Sequence, residues 1–93
     1  MNFVSYSRYL AVTYRRGKPL AAYLYLPRKE GDVSVRTESR NAGLVIDYAA
    51  DGRAIGIEIT SPGKLTIAAL NEALAAANQG PATAEELAPL AAA

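Results

Sequence analysis

The chain has 93 residues, 51% of them hydrophobic, and a formal net charge of only +1. That length suits one domain rather than two cores, and the apolar content excludes disorder by composition. Cysteine, histidine and tryptophan are absent, which excludes disulfides, thiolate nucleophiles, most zinc sites and Ser–His or Cys–His catalytic pairs.

No run approaches the ~20 apolar residues of a membrane span, so no membrane partner is expected. The opening Met1–Leu10 lacks the early positive charge and long apolar core of a signal peptide, and a cytoplasmic location is the expectation. The charge is unevenly spread. Residues 1–40 carry eight basic and three acidic groups, whereas residues 41–93 carry two basic and six acidic ones. Such asymmetry marks a nucleic-acid surface, a self-complementary contact or, most commonly, strand faces that differ in sign and are simply solvated.

Tyr9–Tyr14 alternates as a strand, with Leu10, Val12 and Tyr14 on one face. Leu20–Leu26 is the next strand, with Leu20, Ala22, Leu24 and Leu26 set against Ala21, Tyr23 and Tyr25. A three-residue loop, Arg16–Lys18, pairs Tyr14 with Leu20, Val12 with Ala22 and Leu10 with Leu24, which puts all six on one face. Asp32–Glu38 is a weaker third strand with Val33 and Val35 inward. Gly43–Tyr48 and Arg53–Ile59 form the clearest hairpin, turned at Asp51-Gly52. That register pairs Tyr48 with Ile55, Ile46 with Ile57 and Leu44 with Ile59, and leaves Val45, Asp47, Gly56 and Glu58 on the other face.

A face this apolar needs a cover, and the segment after Ser61-Pro62-Gly63 supplies it. Thr66 is a helix N-cap, and Leu65 and Leu70 stand at the two positions of a hydrophobic staple. Ile67, Leu70, Leu74 and Ala77 form the buried stripe, and Gly80-Pro81 is the stop signal. Thr83-Ala84-Glu85-Glu86 has the form of a capping box for a last short helix, which Pro89 weakens.

The stretch Gly43-Leu-Val-Ile-Asp-Tyr-Ala-Ala-Asp-Gly-Arg-Ala-Ile-Gly-Ile-Glu-Ile59 resembles the core of a bacterial family known as domain of unknown function 2283. Its members carry a pattern close to Val-Ile-Asp-Tyr, an Asp-Gly turn and Val-Gly-Ile-Glu-Ile. Tyr14 and the run Ala21–Leu26 resemble the family's opening strands, so the resemblance covers residues 12–70. Members have an acidic segment where this chain has Arg15-Arg16-Gly17-Lys18-Pro19. The resemblance implies a small β-meander plus helix, no established activity, and, from members that sit beside toxin-like proteins, a partner-binding role.

Asp47 and Glu58 are the one carboxylate pair that this register brings close, diagonally across adjacent strands at ~7–8 Å. Without histidine they lack the further ligands a hard cation needs, and pairing with Arg36 or Arg53 is the simpler reading. Gly56, opposite Asp47, marks a close approach by another group, such as the ring of Tyr23 or Tyr25. Tyr23, Tyr25 and Val45, with Phe3 or Tyr6 from the N-terminal segment beside them, form a mixed patch among Arg36, Asp47 and Glu58. Arg15, Arg16, Lys18, Arg28 and Lys29, interleaved with tyrosines, are the candidate nucleic-acid contacts.

The expectation is therefore an α+β fold: an antiparallel β-meander of about five strands with one face covered by a C-terminal helix. Residues 1–80 make the domain, and 81–93 a helical appendage or tail. No catalytic, metal or cofactor site is expected. The expected function is a non-catalytic protein-interaction module that self-associates, most simply as a homodimer, through the face of Tyr23, Tyr25, Val45, Asp47 and Glu58 or through an adjacent sheet edge. The alternative is a nucleic-acid-binding regulator using the basic first half.

Overall fold

A computed structural model describes residues 8–91 of the chain. Strands β1, Tyr9–Arg15, and β2, Lys18–Tyr25, form the first hairpin. Leu10 faces Leu24 and Val12 faces Ala22, as the alternation requires. The turn differs from the three-residue loop expected. Arg15 pairs with Lys18, and only Arg16 and Gly17 lie between them, both at positive φ, 52° and 77°. A two-residue turn of this hand matches the twist of the strands. The register then shifts between Thr13 and Tyr14, so that Tyr14 meets Pro19 rather than Leu20. The bulge restores the deeper pairs, but Tyr14 and Leu20 stay largely exposed and do not join the core.

The third strand also departs from expectation. β3 is Arg36–Arg40, not Asp32–Glu38, and Val33 and Val35 are 66% and 59% exposed rather than inward. The chain uses Asp32 for a turn instead: its carboxylate accepts from the Lys29 backbone N–H at 2.8 Å, and its own N–H donates to the Lys29 carbonyl. β3 lies at the sheet edge, where Arg36, Glu38 and Arg40 pair with Tyr48, Ile46 and Leu44. A charged edge of this kind discourages a further strand from adding.

β4, Leu44–Tyr48, and β5, Ala54–Ile59, form the second hairpin. Leu44 faces Ile59 and Ile46 faces Ile57. Here too the turn length is off by one. Ala49 is hydrogen-bonded to both Gly52 and Arg53, so the loop has three residues, Ala50 to Gly52, with Gly52 at φ 90°. Tyr48 pairs with Ala54, and a bulge leaves Ile55 as the extra residue instead of Tyr48's partner. Ile55 is buried, but it stands outside the main apolar cluster.

The five strands are antiparallel in the order β1-β2-β5-β4-β3. The consecutive meander is thus interrupted once: residues 26–35 carry the chain from β2 to the far edge, and β5 returns beside β2. Arg53 ties this crossover to the β4–β5 turn, bonding Asp32 at 2.8 Å and Asp51 at 2.7 Å.

Helix α1 is Ile67–Ala76, with Thr66 as its cap accepting from the Ala69 N–H at 3.1 Å. Leu70, Ala73, Leu74 and Ala77 are buried in one cluster with Leu10, Leu24, Leu44, Ile46, Ile57 and Ile59. Ile67, expected in the stripe, is 54% exposed because it sits in the first turn, short of the packed contact. The helix stops before Gly80-Pro81. Asn78 takes φ 60°, and the N–H groups of Asn78 and Gln79 return to the carbonyls of Ala75 and Leu74, a Schellman ending built on asparagine.

Helix α2, Ala84–Ala91, starts with a reciprocal capping box: the Glu86 N–H donates to Thr83 Oγ1 and the Thr83 N–H to Glu86 Oε1. The helix continues past Pro89. Arg8 holds both carboxylate oxygens of Glu86 at 2.7 Å and also donates to the carbonyls of Gly80 and Pro81. Leu87 and Leu90 pack on the same cluster as α1, and the Tyr14 hydroxyl donates to the Pro89 carbonyl. The fold is α+β, with α1 and α2 on one side of the sheet. No helix among the described residues is long and apolar enough to cross a membrane.

Candidate functional site

The face away from the helices is set by strand alternation and by the β2–β5 pairing. One row across it runs Tyr9, Tyr25, Gly56, Asp47, Thr37; the next runs Ala11, Tyr23, Glu58, Val45, Ser39. All five residues expected at an interface, Tyr23, Tyr25, Val45, Asp47 and Glu58, therefore share this face. Arg36 does not. It pairs with Tyr48, one position out of phase with Asp47, and its guanidinium lies 4.0 Å from the centroid of the Tyr48 ring.

The two carboxylates part company. Asp47 accepts the Tyr23 hydroxyl at 2.7 Å across the gap left by Gly56. The Tyr23 ring fills that gap: a Cβ at position 56 would lie 1.9 Å from the hydroxyl oxygen. Gly56 is thus a cradle for Tyr23, one of the two rings expected there. Burial first, and the bond to Asp47 second, push the Tyr23 hydroxyl up to about 12. Glu58 is exposed and makes no ion pair among the described residues. Neither acid pairs with Arg36 or Arg53; Arg53 is already held by Asp32 and Asp51, and it lowers Asp32 to about 2.

Three tyrosines form a continuous aromatic surface. Tyr9 and Tyr25 stack at 4.6 Å between centroids with 14° between planes, and Tyr23 meets Tyr25 edge-on at 4.8 Å. Tyr9 is 58% exposed. It was not foreseen on this face, although its alternation with Leu10 and Ala11 places it opposite Tyr25. Phe3 and Tyr6 lie outside the described residues.

Of the basic candidates, only Arg28 reaches the aromatic surface. Its guanidinium lies 5.2 Å from the Tyr25 centroid, donates to the Ile55 carbonyl, and bears on the Tyr23 hydroxyl. Its Nε is buried without a partner among the described residues. Arg15, Arg16 and Lys18 stand at the far end of the β1–β2 hairpin. Lys29 is on the crossover, 3.9 Å from Asp51.

Two depressions stand out among the described residues. The larger, about 470 Å³, opens between the crossover, the β4–β5 turn and the end of α1, where Arg53 and Asp51 already satisfy each other. The smaller, about 250 Å³, lies on the open face, floored by Ala11, Thr13 and Ala21 and rimmed by Tyr23, Tyr25 and Glu58. Among the described residues no three acids are grouped as a metal site would need. The arrangement offers aromatic area, one half-buried acid held by a hydroxyl, and one exposed carboxylate beside small residues.

A family model described as "Protein of unknown function (DUF2283)" matches residues 21–61, from the middle of β2 to just past β5. This supports the resemblance read from the hairpin motif, over a shorter span than residues 12–70; β1, α1 and α2 lie outside the match. No curated protein and no solved structure matches the chain.

Proposed function

We propose that this protein is a non-catalytic interaction module that self-associates as a homodimer through the open face of its sheet. One observation carries the reading. Both helices pack on the same side, and the other side is left with Tyr25 in contact with both Tyr9 and Tyr23, all three partly exposed. Tyrosine offers large contact area with a polar tip and is enriched at interfaces. Two-fold closure is the commonest assembly for such a surface, and a small domain gains most from burying one more face. We place the protein in the cytoplasm. A toxin-like protein is the heterologous partner that the family resemblance would supply.

The test is mass by light scattering over a concentration series. The wild type should be a dimer. Tyr9→Ser with Tyr25→Ser should be a monomer with an unchanged far-ultraviolet circular dichroism spectrum; Tyr23 is spared because it holds Asp47. A wild type that stays monomeric near millimolar concentration sinks the reading.

A second reading rests on the Tyr9–Tyr25 stack with Arg28 beside it, a geometry that suits an unpaired base. Adding a short single-stranded oligonucleotide to the same experiment decides it. Salt-sensitive binding lost on Arg28→Ala would favour this reading over the homodimer.

A further inference from the structure

The open face of the first hairpin carries cations at its turn end and tyrosines at the other, with Ala11, Thr13 and Ala21 between them. At the turn end, Arg15 and Lys18 are directly paired, and the alternation of β1 puts them on the same face as Thr13. In the middle lies the pair Thr13–Ala21, with short side chains that let another surface come close. Beyond it lies the row Ala11–Tyr23–Glu58. The cationic pair and the acidic row thus stand on either side of Thr13–Ala21, each two residues away along β1, or ~7 Å at the usual strand rise.

Neither end is satisfied among the described residues. Arg15 and Lys18 make no ion pair among the described residues, and neither does Glu58, all three being exposed. Between them is the depression of about 250 Å³, lined by Tyr23, Tyr25 and Glu58 among small residues. An ammonium or guanidinium group fits such a place: a ring face and a carboxylate both attract it.

We infer that the occupant is a second copy of this chain, its Arg15 and Lys18 docked at the Tyr23–Glu58 depression, about a two-fold axis passing beside Thr13 and Ala21. The axis runs across the strands in the plane between the two sheets. It superposes each cationic end on the partner's acidic row, so one operation satisfies both ends twice, as an isologous contact demands. The inference rests on the homodimer reading and adds its register. It also gives the Arg-Arg-Gly-Lys-Pro turn a role in specificity, since like charges facing each other reject a shifted alignment.

The experiment is a charge exchange read by sedimentation equilibrium at 0.15 M salt. Glu58→Lys alone should weaken the dimer at least about tenfold, and so should Arg15→Glu with Lys18→Glu, because each homodimer then opposes like charges twice. Mixed one to one, the two variants should recover a heterodimer of near wild-type affinity, since every contact is again between opposite charges. A control with Lys29→Glu and Lys64→Glu carries the same net charge away from this contact and should not rescue Glu58→Lys. Circular dichroism checks that each variant folds, and Glu58→Gln, milder in charge, should weaken the dimer less. A wild-type monomer overturns the dimer itself. A wild-type dimer that the tyrosine variants break but the charge variants leave intact keeps the face and overturns the register. Rescue by the control overturns it as well.

Discussion

The two faces of one sheet are built from the same five strands and solve opposite problems. On the helix side, Leu24, Leu44, Ile46, Ile57 and Ile59 interlock with Leu70 and Leu74, and every one of them is essentially fully buried. On the open side, large area comes from tyrosines, and polar groups are held by one another: Tyr23 by Asp47, Tyr25 by Tyr9 and Arg28. The helix side is held by volume and is intolerant of gaps. The open side is held by directed contacts over a backbone gap, so its tolerance depends on particular partners rather than on total volume.

The largest expected effect tests the volume side. Ile57→Ala should cost about 2–5 kcal/mol, enough to unfold much of a domain this small, measured as the urea midpoint of unfolding. A variant with wild-type stability would mean that Ile57 is not at the centre of the packed face.

Next comes Gly56→Ala, on the other face of the same strand. The added methyl meets the Tyr23 hydroxyl and ring carbons at 1.9–2.5 Å, so the ring must leave its seat and the bond to Asp47 must break. A loss of about 1–3 kcal/mol is expected. The comparison sharpens in the double variant. With Tyr23→Ser already present, Gly56→Ala should cost little or even stabilise, because alanine suits a strand better than glycine. A cost that is the same in both backgrounds would show that the Tyr23 ring is not what the glycine accommodates.

The smallest effect is that of the hydroxyl alone. Tyr23→Phe keeps the ring over Gly56 and should cost about 1 kcal/mol at neutral pH. Its signature is in the pH dependence. The folded hydroxyl, at about 12, holds its proton more firmly than the ordinary value of 10 in the unfolded chain. The contribution is therefore complete below pH 10 and is lost as the pH rises from 10 through 12. Wild type should lose stability across that window faster than Tyr23→Phe, and parallel curves would contradict the raised affinity.

The hairpins show how the sequence specified register. In both, the turn differs by one residue from the expected length: two residues at Arg16-Gly17 instead of three, three at Ala50 to Gly52 instead of two. In both, a bulge compensates, at Leu20 and at Ile55, and the deep pairs Leu10–Leu24, Val12–Ala22, Leu44–Ile59 and Ile46–Ile57 stand as expected. Burial of alternate side chains outweighs turn preference, because a one-residue slip would expose a whole apolar set. The residues at the bulges depart from expectation: Leu20 and Tyr14 are exposed, and Ile55 is buried outside the main cluster. Val33 and Val35 depart for another reason. Their alternation is that of a strand, but local hydrogen bonds to Asp32 hold the preceding turn and leave the valines at an exposed edge.

Local chemistry was enough wherever cause and effect lie within a few residues. The Thr66 cap, the Thr83–Glu86 box, the inward and outward sets of β4 and of residues 56–59 in β5, and a close approach over Gly56 all follow from spacing alone. What the sequence could not decide was which strand lies beside which. The crossover after Leu26 sets β2 against β5, and only that pairing brings Tyr23 within reach of Asp47 and opposite Glu58. It also carries Arg28 to the Tyr25 ring, although the spacing of the basic residues gives no hint of it. Strand order is a choice among long-range contacts whose chain-closure costs differ little, so it is settled by how the whole set of faces packs, and no short window of sequence contains that sum.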